Sequence, residues 1–386
     1  MARRNIFLFR YFPTMKIDTK LNGDVDDMYC VHGHALNLCR TPIIECLRKI
    51  LPSQSTHKTD QPVQIADFGT ADGRASLSLI NEMIDIIQTD LGKDQAIAIY
   101  YNDQPRNDFN LLSSVVEGEE KSSGLTISEN VFPLFIPRTM YVQCLPNESL
   151  DLSISGVASH YLSVNVCQIK NGVFMGEGDD NEKRLMKEKG KADWRSFVIS
   201  RGRELKPGGF LITLNASSDE EDDVTSQIDK GMHYLGSFIT DMAREGIITQ
   251  EEYLAINFNG HYLRKAEDFK EPFSSALPEV QGLGLELISM KSMKHHLDHT
   301  SFGIVDKDET EKLEYSRRIV ASVRSWMAHV ILGGLSTSRT EEEKMVILDG
   351  YFDRVKSYAY DHSHHRPYII VTEVVIQKKN VAHGEI

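Results

Sequence analysis

The chain has 386 residues, of which 41% are hydrophobic and 26% charged, and a formal net charge of −13. That length supports one large domain with an added cap, or two domains sharing a core. The acidic balance leaves no basic excess to neutralise a phosphate backbone, which argues against nucleic acid as a partner, and no apolar run reaches the roughly 18 residues needed to span a membrane.

Residues 1–16 are basic and aromatic, with no acid before Asp18. They read as part of a flexible leader, 1–26. A targeting peptide is the alternative, but Arg10 interrupts the apolar run and no small-residue cleavage site follows. Pro42 suits the start of a helix that continues through Ile43, Cys46, Leu47 and Ile50, and 51–62 is a polar loop. The five cysteines, Cys30, Cys39, Cys46, Cys144 and Cys167, are odd in number and lack metal-ligand spacing, which suits a reducing cytosol.

Next comes a short apolar run, 63–66, that ends in Asp67 and a glycine turn, Asp67-Phe-Gly69-Thr-Ala-Asp72-Gly73. An amphipathic segment, 75–87, follows, with Leu77, Leu79, Ile80, Met83, Ile84 and Ile87 near helical spacing. Strand, glycine turn and helix open a doubly wound α/β domain, in which ligands bind at the carboxyl ends of the strands. Gly69 and Gly73 let the backbone approach a ligand, and the helix start offers free N–H groups. The glycines do not form G-x-G-x-x-G, which argues against a pyrophosphate. They suit a cationic ligand with an amino acid end, such as S-adenosylmethionine, or a plain turn with no ligand. Residues 97–101 read as the next strand, and Asp103 at its carboxyl end is placed to accept hydrogen bonds from both hydroxyls of a ribose.

Beyond Asp103 a helix is expected over about 107–116 and a charged surface turn over 117–124. Residues 148–155 alternate as a strand, the fourth of such a sheet, and 155–163 lie at its carboxyl end. A short turn and strand are expected at 170–174, a solvated, mobile stretch at 176–191, and a helix that continues through 194–205. Lys206-Pro-Gly-Gly turns the chain into a fifth strand reaching Leu214. The acidic loop 217–223 and the runs His295-His296-x-x-His299 and His362-Ser-His-His365 read as surface; no acid or cysteine framework accompanies them, so no metal is expected. Helices are expected at 228–246, from 247, at 313–332 and at 341–358, and strands at 282–290 and 367–376, the last suited to an antiparallel edge. There are no internal repeats.

The run Asn102-Asp-Gln-Pro-Arg-Asn107-Asp108-Phe-Asn110, with 65–73, resembles the signature of the SABATH family of S-adenosylmethionine-dependent carboxyl methyltransferases. That family acts on salicylic, jasmonic and related acids and on xanthine alkaloids. The resemblance covers about 27–376. It implies an α/β fold, a class I methyltransferase-like Rossmann sheet of seven strands with the last one, 368–376, antiparallel. It implies one methyltransferase domain, 27–376, between the leader and a tail at 377–386, with a helical cap mainly from 157–200, 216–280 and 300–360. The cofactor it implies is S-adenosylmethionine, the partner a small carboxylic acid, the assembly a homodimer and the compartment the cytoplasm.

The resemblance also implies site residues. Gly33-His34-Ala35-Leu36-Asn37 stands at the family's Ser-Tyr-Ala-x-Asn segment, with His34 at the tyrosine. Thr139-Met140-Tyr141 stands at the Ser-Phe-Tyr motif that contacts adenine. The implied cofactor set is His34, Asn37, Asp67, Gly69, Gly73, Asp103, Gln104, Thr139, Met140 and Ser155. On the acceptor side Thr41 takes the place of a glutamine, Val157 that of a tyrosine, and Tyr161, beside His160, that of a tryptophan whose N–H holds the carboxylate. Tyr161, His160 and Thr41 are thus the catalytic candidates, and Tyr161, Tyr262, Trp326 and Tyr368 the acceptor-binding ones. If 160–161 is helical, only one of His160 and Tyr161 faces the pocket.

Carboxyl methylation asks little acid–base work of a protein, because the acceptor is already ionised at neutral pH. Alignment and desolvation remain, and proximity with orientation can account for about 7–11 kcal/mol of a barrier. A site with no triad, paired acids or metal is consistent with that chemistry. The replaced glutamine and tryptophan leave two other readings open, N-methylation of a small heterocycle and a non-catalytic cofactor-binding or interaction protein.

Overall fold

Seven segments of the chain become strands of a single sheet. They are β1 (Val63–Phe68), β2 (Ile97–Asp103), β3 (Val131–Pro137), β4 (Leu150–Gly156), β5 (Leu205–Ser217), β6 (Leu285–His296) and β7 (Tyr368–Lys378), in the order β3-β2-β1-β4-β5-β7-β6. The computed structural model describes residues 36–56, 61–119, 124–125, 129–218, 233–258, 260–274, 277–296, 308–365 and 367–379. His34 and most of the acidic loop 217–223 lie outside them. β1 to β5 pair in parallel, and β7 is antiparallel to both β5 and β6.

The expected seven strands with an antiparallel last one are present, but β7 is not at the edge. It lies between β5 and β6, and it is buried over nearly its whole length. Its near-continuous apolar run is what a strand covered on both faces requires. It also runs on to Lys378, two residues into the expected tail. The edges are β6 and β3. β3, with Pro133 and Pro137, carries no counterpart among the expected strands; proline lacks a ladder donor and is tolerated at an edge.

Helix α1 (Arg40–Thr56), α2 (Arg74–Leu91) and α3 (Phe109–Val116) cover one face of the sheet, where Leu47, Ile80, Ile84 and Leu112 pack with Ile65, Ile99 and Leu152. α4 (Asp180–Glu204) covers the other, with Trp194, Phe197 and Val198 against Ala66, Phe68 and Val374. The mobile stretch expected before α4 is instead its first turns. Glu182 N–H donates to Asp179 at 2.8 Å and Asp179 N–H to Glu182 at 2.9 Å, a reciprocal cap that starts the helix inside the charge run. The strand expected at 170–174 is a series of bends leading to a 3₁₀ turn, Met175–Glu177.

The cap has its own core. Helix α5 (His233–Arg244), α6 (Gln250–Ala255), α9 (Glu309–Gly334) and α10 (Glu341–Asp361) bury Leu235, Ile239, Ile256, Met327, Ile331 and Tyr351 together. Two short helices, α7 (Ala266–Lys270) and α8 (Pro278–Gly282), complete the chain between α6 and β6. Ile369, at the start of β7, packs against both the sheet core and the cap core, so the cap meets the sheet at the carboxyl ends of its parallel strands. Among the described residues no helix is long and apolar enough to cross a membrane.

Candidate active site

At the end of β1, Asp67 is buried and the chain turns through Gly69 at φ +77° and Gly73 at φ +85°. A Cβ on Gly69 would lie 2.3 Å from Cβ of Ala158, so this turn and the loop after β4 touch with no room for a side chain. The turn is tied to β2. Gly69 and Thr70 N–H donate to the Asn102 carbonyl at 2.8 and 3.1 Å, and the buried Asn102 amide donates to the carbonyls of Ile136 at 3.0 Å and Arg138 at 2.7 Å. Asp103 accepts from Ala71 N–H at 2.8 Å and Gln104 N–H at 2.7 Å, and the Asn107 amide donates to the Ala71 carbonyl at 2.6 Å. The asparagines and the acid of this motif therefore hold the glycine turn in shape, including Ala71, a non-glycine at φ +53°.

Other expected cofactor residues are spread around this turn. Met140 Sδ is 3.8 Å from the point where a Gly69 Cβ would stand. Thr139 is exposed, and its hydroxyl accepts from Tyr141 N–H at 3.4 Å. Ser155 is buried and donates to the Phe68 carbonyl at 2.8 Å, so its hydroxyl links β4 to β1. Asn37 is exposed just ahead of α1.

On the acceptor side the loop after β4 is a turn and a bridge, not a helix. Tyr161 pairs antiparallel with His261, Leu162 N–H donates to the Gly260 carbonyl at 2.6 Å and Tyr262 N–H to the His160 carbonyl at 2.9 Å. As a result the rings of His160 and Tyr161 lie in one cluster, on a segment that is not helical. Their ring centroids are 4.5 Å apart, and His261 lies 4.3 Å from Tyr161 and 5.4 Å from His160. Phe258 stands 4.5 Å from His261 and 5.6 Å from Trp326 of α9. His329 lies one turn beyond Trp326 on the same side of α9.

Three expected acceptor residues fall outside the cluster. Tyr262 turns away, donates to Asp268 at 2.8 Å and packs with Leu162, Ile169 and Met186. Successive side chains of an extended segment point to opposite sides, so His261 has the face expected of Tyr262. Tyr368 packs 5.8 Å from His296, beside Lys294 of β6, and Thr41 is exposed in the first turn of α1. The residues singled out from the sequence include Tyr262 of this segment but not His261, Phe258 or His329, which the fold groups with Tyr161 and Trp326.

A buried clamp supports the loop. Arg264, with no exposed surface, donates to the Ser159 carbonyl at 2.6 Å and twice to the Gly190 carbonyl of α4, at 3.2 and 2.7 Å. Tyr141 donates to the carbonyls of Ser159, at 3.1 Å, and Tyr161, and the Ser159 hydroxyl donates to Asn215 of β5. Burial holds the Arg264 guanidinium below its usual range.

The two halves differ in charge. Burial raises the Asp67 carboxyl to about 6, against the hydroxyls of Ser76 and Thr70, and the charge of Asp103 adds to the rise. Burial also raises Asp103, although the N–H groups of Ala71 and Gln104 favour its anion. Tyr161 is pushed up to about 12, by burial first and then by Asp103, so its hydroxyl stays protonated. His261 is held well below the usual imidazole range by burial and then by His160 and His329, and burial lowers His329 to about 4. Carboxylates line one side and aromatic and imidazole rings the other. Among the described residues no group of histidines, cysteines and acids could hold a metal ion.

The chain is similar to known proteins in sequence and in fold. The family described as SAM-dependent carboxyl methyltransferase matches residues 27–379. The chain is 26% identical over 318 residues to Methyltransferase LUC1 of Fusarium sp, covering 78% of this chain and 81% of that protein. It is 26% identical over 325 residues to Jasmonate O-methyltransferase of Arabidopsis thaliana, covering 76% and 81%. A solved structure, loganic acid methyltransferase with SAH, superposes with a TM-score of 0.69 at 17% identity over 94% of this chain and 99% of that one. At that identity the likeness bears on the class I methyltransferase fold.

Proposed function

The chain belongs to the S-adenosylmethionine-dependent carboxyl methyltransferases, and from this we propose that it esterifies a small, largely apolar organic acid held against Tyr161 and His160. Its cofactor is S-adenosylmethionine. The donor set fits that molecule: Asp103 offers carboxylate oxygens for a ribose, and Asp67, raised partly by Asp103, would be relieved by a cation. When bound, the cofactor supplies a methyl group activated by the positive charge on its sulfur.

In this account Asp103 binds the ribose, the glycine turn with Gly69 and Gly73 and Asp67 faces the amino acid end, and Met140 and Thr139 flank the base. Gln104 and Ser155 fix the turn and strand behind it. Asn37 and His34, the latter outside the described residues, belong to the segment that covers the cofactor. Tyr161 donates its O–H to the acceptor carboxylate, His160 abuts it, and Phe258 with Trp326 keeps water from the acceptor oxygen. Thr41, Tyr262 and Tyr368 receive no acceptor role. The observation that supports the proposal is that the Gly69 turn packs against Ala158, which leads into His160 and Tyr161, so the residues read for cofactor and for acceptor adjoin.

Tyr161→Phe keeps the ring and removes only the donor. A hydrogen bond to a charged group contributes about 1.5–3 kcal/mol, so methyl transfer should fall about 10- to 100-fold while S-adenosylhomocysteine still binds. Full activity would exclude the hydroxyl and move attention to His160. We also propose that the chain works in the cytoplasm as a homodimer, with 27–376 as one domain. Free thiols at the four described cysteines agree with a reducing compartment. Sedimentation at micromolar concentration should give a particle of two chains; a single chain would refute the dimer.

A further inference from the structure

We propose that His261 reads a hydroxyl on the acceptor, so that the preferred substrate is a hydroxylated carboxylic acid. This rests on the carboxyl-methylation site described above and adds a specificity residue to it. Nδ1 of His261 is buried and has no hydrogen-bond partner. The ring is walled in by Tyr161 at 4.3 Å, Phe258 at 4.5 Å and His160 at 5.4 Å. A neutral imidazole presents either a lone pair or an N–H at Nδ1, and a hydroxyl can satisfy both, as donor to the one or acceptor from the other.

A buried, unpartnered Nδ1 on an uncharged ring selects its ligand. A carboxylate gains most from an imidazolium, which burial with His160 and His329 nearby disfavours. A hydroxyl needs no proton transfer: it pairs with Nδ1 in either tautomer and leaves every group in its resting charge state. Tyr161, still protonated and carrying an O–H, is the better partner for the carboxylate. The two roles fall on rings in contact, so one small molecule can meet both, with its hydroxyl a short way from its carboxyl group.

The test compares kcat/KM for acids that differ by a single hydroxyl. The pairs are benzoate with its 2-, 3- and 4-hydroxy derivatives, cinnamate with its ring-hydroxylated forms, and dodecanoate with its monohydroxy isomers. A site built to pair a hydroxyl disfavours the analogue that lacks it, because the buried group is left unpaired. In at least one pair the hydroxylated acid should be favoured about 10- to 100-fold. His261→Phe should bring that ratio close to one, with S-adenosylhomocysteine binding as the check on folding, and His261→Leu serves if the phenylalanine variant does not fold. Equal rates within every pair, or a preference that survives loss of the imidazole, would overturn the inference while the methylation reading stands. A folded, cofactor-binding protein that esterifies none of these acids would overturn both.

Discussion

Asp103→Ala should weaken S-adenosylhomocysteine binding by more than about 100-fold without unfolding the chain. Charge-assisted hydrogen bonds contribute about 1.5–3 kcal/mol each, and a ribose offers two hydroxyls to one carboxylate. The loss has a second source, because Asp103 also accepts from Ala71 and Gln104 and so holds the glycine turn. These two N–H groups reach different oxygens of the carboxylate; Asp103→Asn keeps an acceptor for one of them and should therefore retain more affinity than the alanine variant. Calorimetric titration decides it; unchanged affinity in folded Asp103→Ala would remove this residue from the cofactor site.

The second large effect is expected at Gly69. Alanine there must accept φ +77° and put its Cβ 2.3 Å from that of Ala158. A left-handed non-glycine residue costs about 1–2 kcal/mol, and overpacking adds about 1–3 kcal/mol. Gly69→Ala should thus lower stability by about 2–5 kcal/mol in urea unfolding. Because Ala158 leads directly into His160 and Tyr161, relief of the overlap shifts the acceptor loop too. Cofactor affinity and turnover should fall together. Gly208, at φ +87° with nothing within 4 Å of an added Cβ, is the control. Gly208→Ala carries the backbone strain alone and should leave binding intact; a loss at Gly69 no larger than at Gly208 would contradict the contact argument.

What could be read in advance follows from how local each signal is. The glycine turn and the Asn102-Asp-Gln-Pro-Arg-Asn107 run are contiguous, and their partners lie in the strands they terminate, so their placement was legible. β3 was not, since an exposed edge strand has no buried alternation and tolerates two prolines. The position of β7 depends on pairing with β5, across some 150 residues of chain, which periodicity does not encode. The acceptor cluster hinges on the Tyr161–His261 bridge, which sets which of His261 and Tyr262 faces inward. Alternation predicts that they face opposite ways, but the phase comes from a contact a hundred residues away. Arg264 was hidden for another reason: an arginine ordinarily reads as a surface residue, yet this one is buried on backbone carbonyls.

The same locality explains why the cofactor half resembles the family more than the acceptor half does. Methyl donation needs one fixed geometry at the strand ends, whereas acceptor recognition needs only an apolar cavity with a few directed polar groups. In the site proposed here Tyr161, His160 and His261 would meet the second requirement, on a loop clamped from β5 and α4 rather than with a glutamine and a tryptophan.

The central claim is methyl transfer to a carboxylate oxygen, and it is tested most directly by following the methyl group. The chain is incubated with methyl-labelled S-adenosylmethionine and a panel of aromatic, aliphatic and terpenoid acids, and the labelled product is then treated with mild alkali. The account predicts a labelled methyl ester that releases labelled methanol on hydrolysis and forms far more slowly with Tyr161→Phe. A protein that binds S-adenosylhomocysteine yet labels no acid, or whose label sits in an alkali-stable bond to nitrogen, would contradict it.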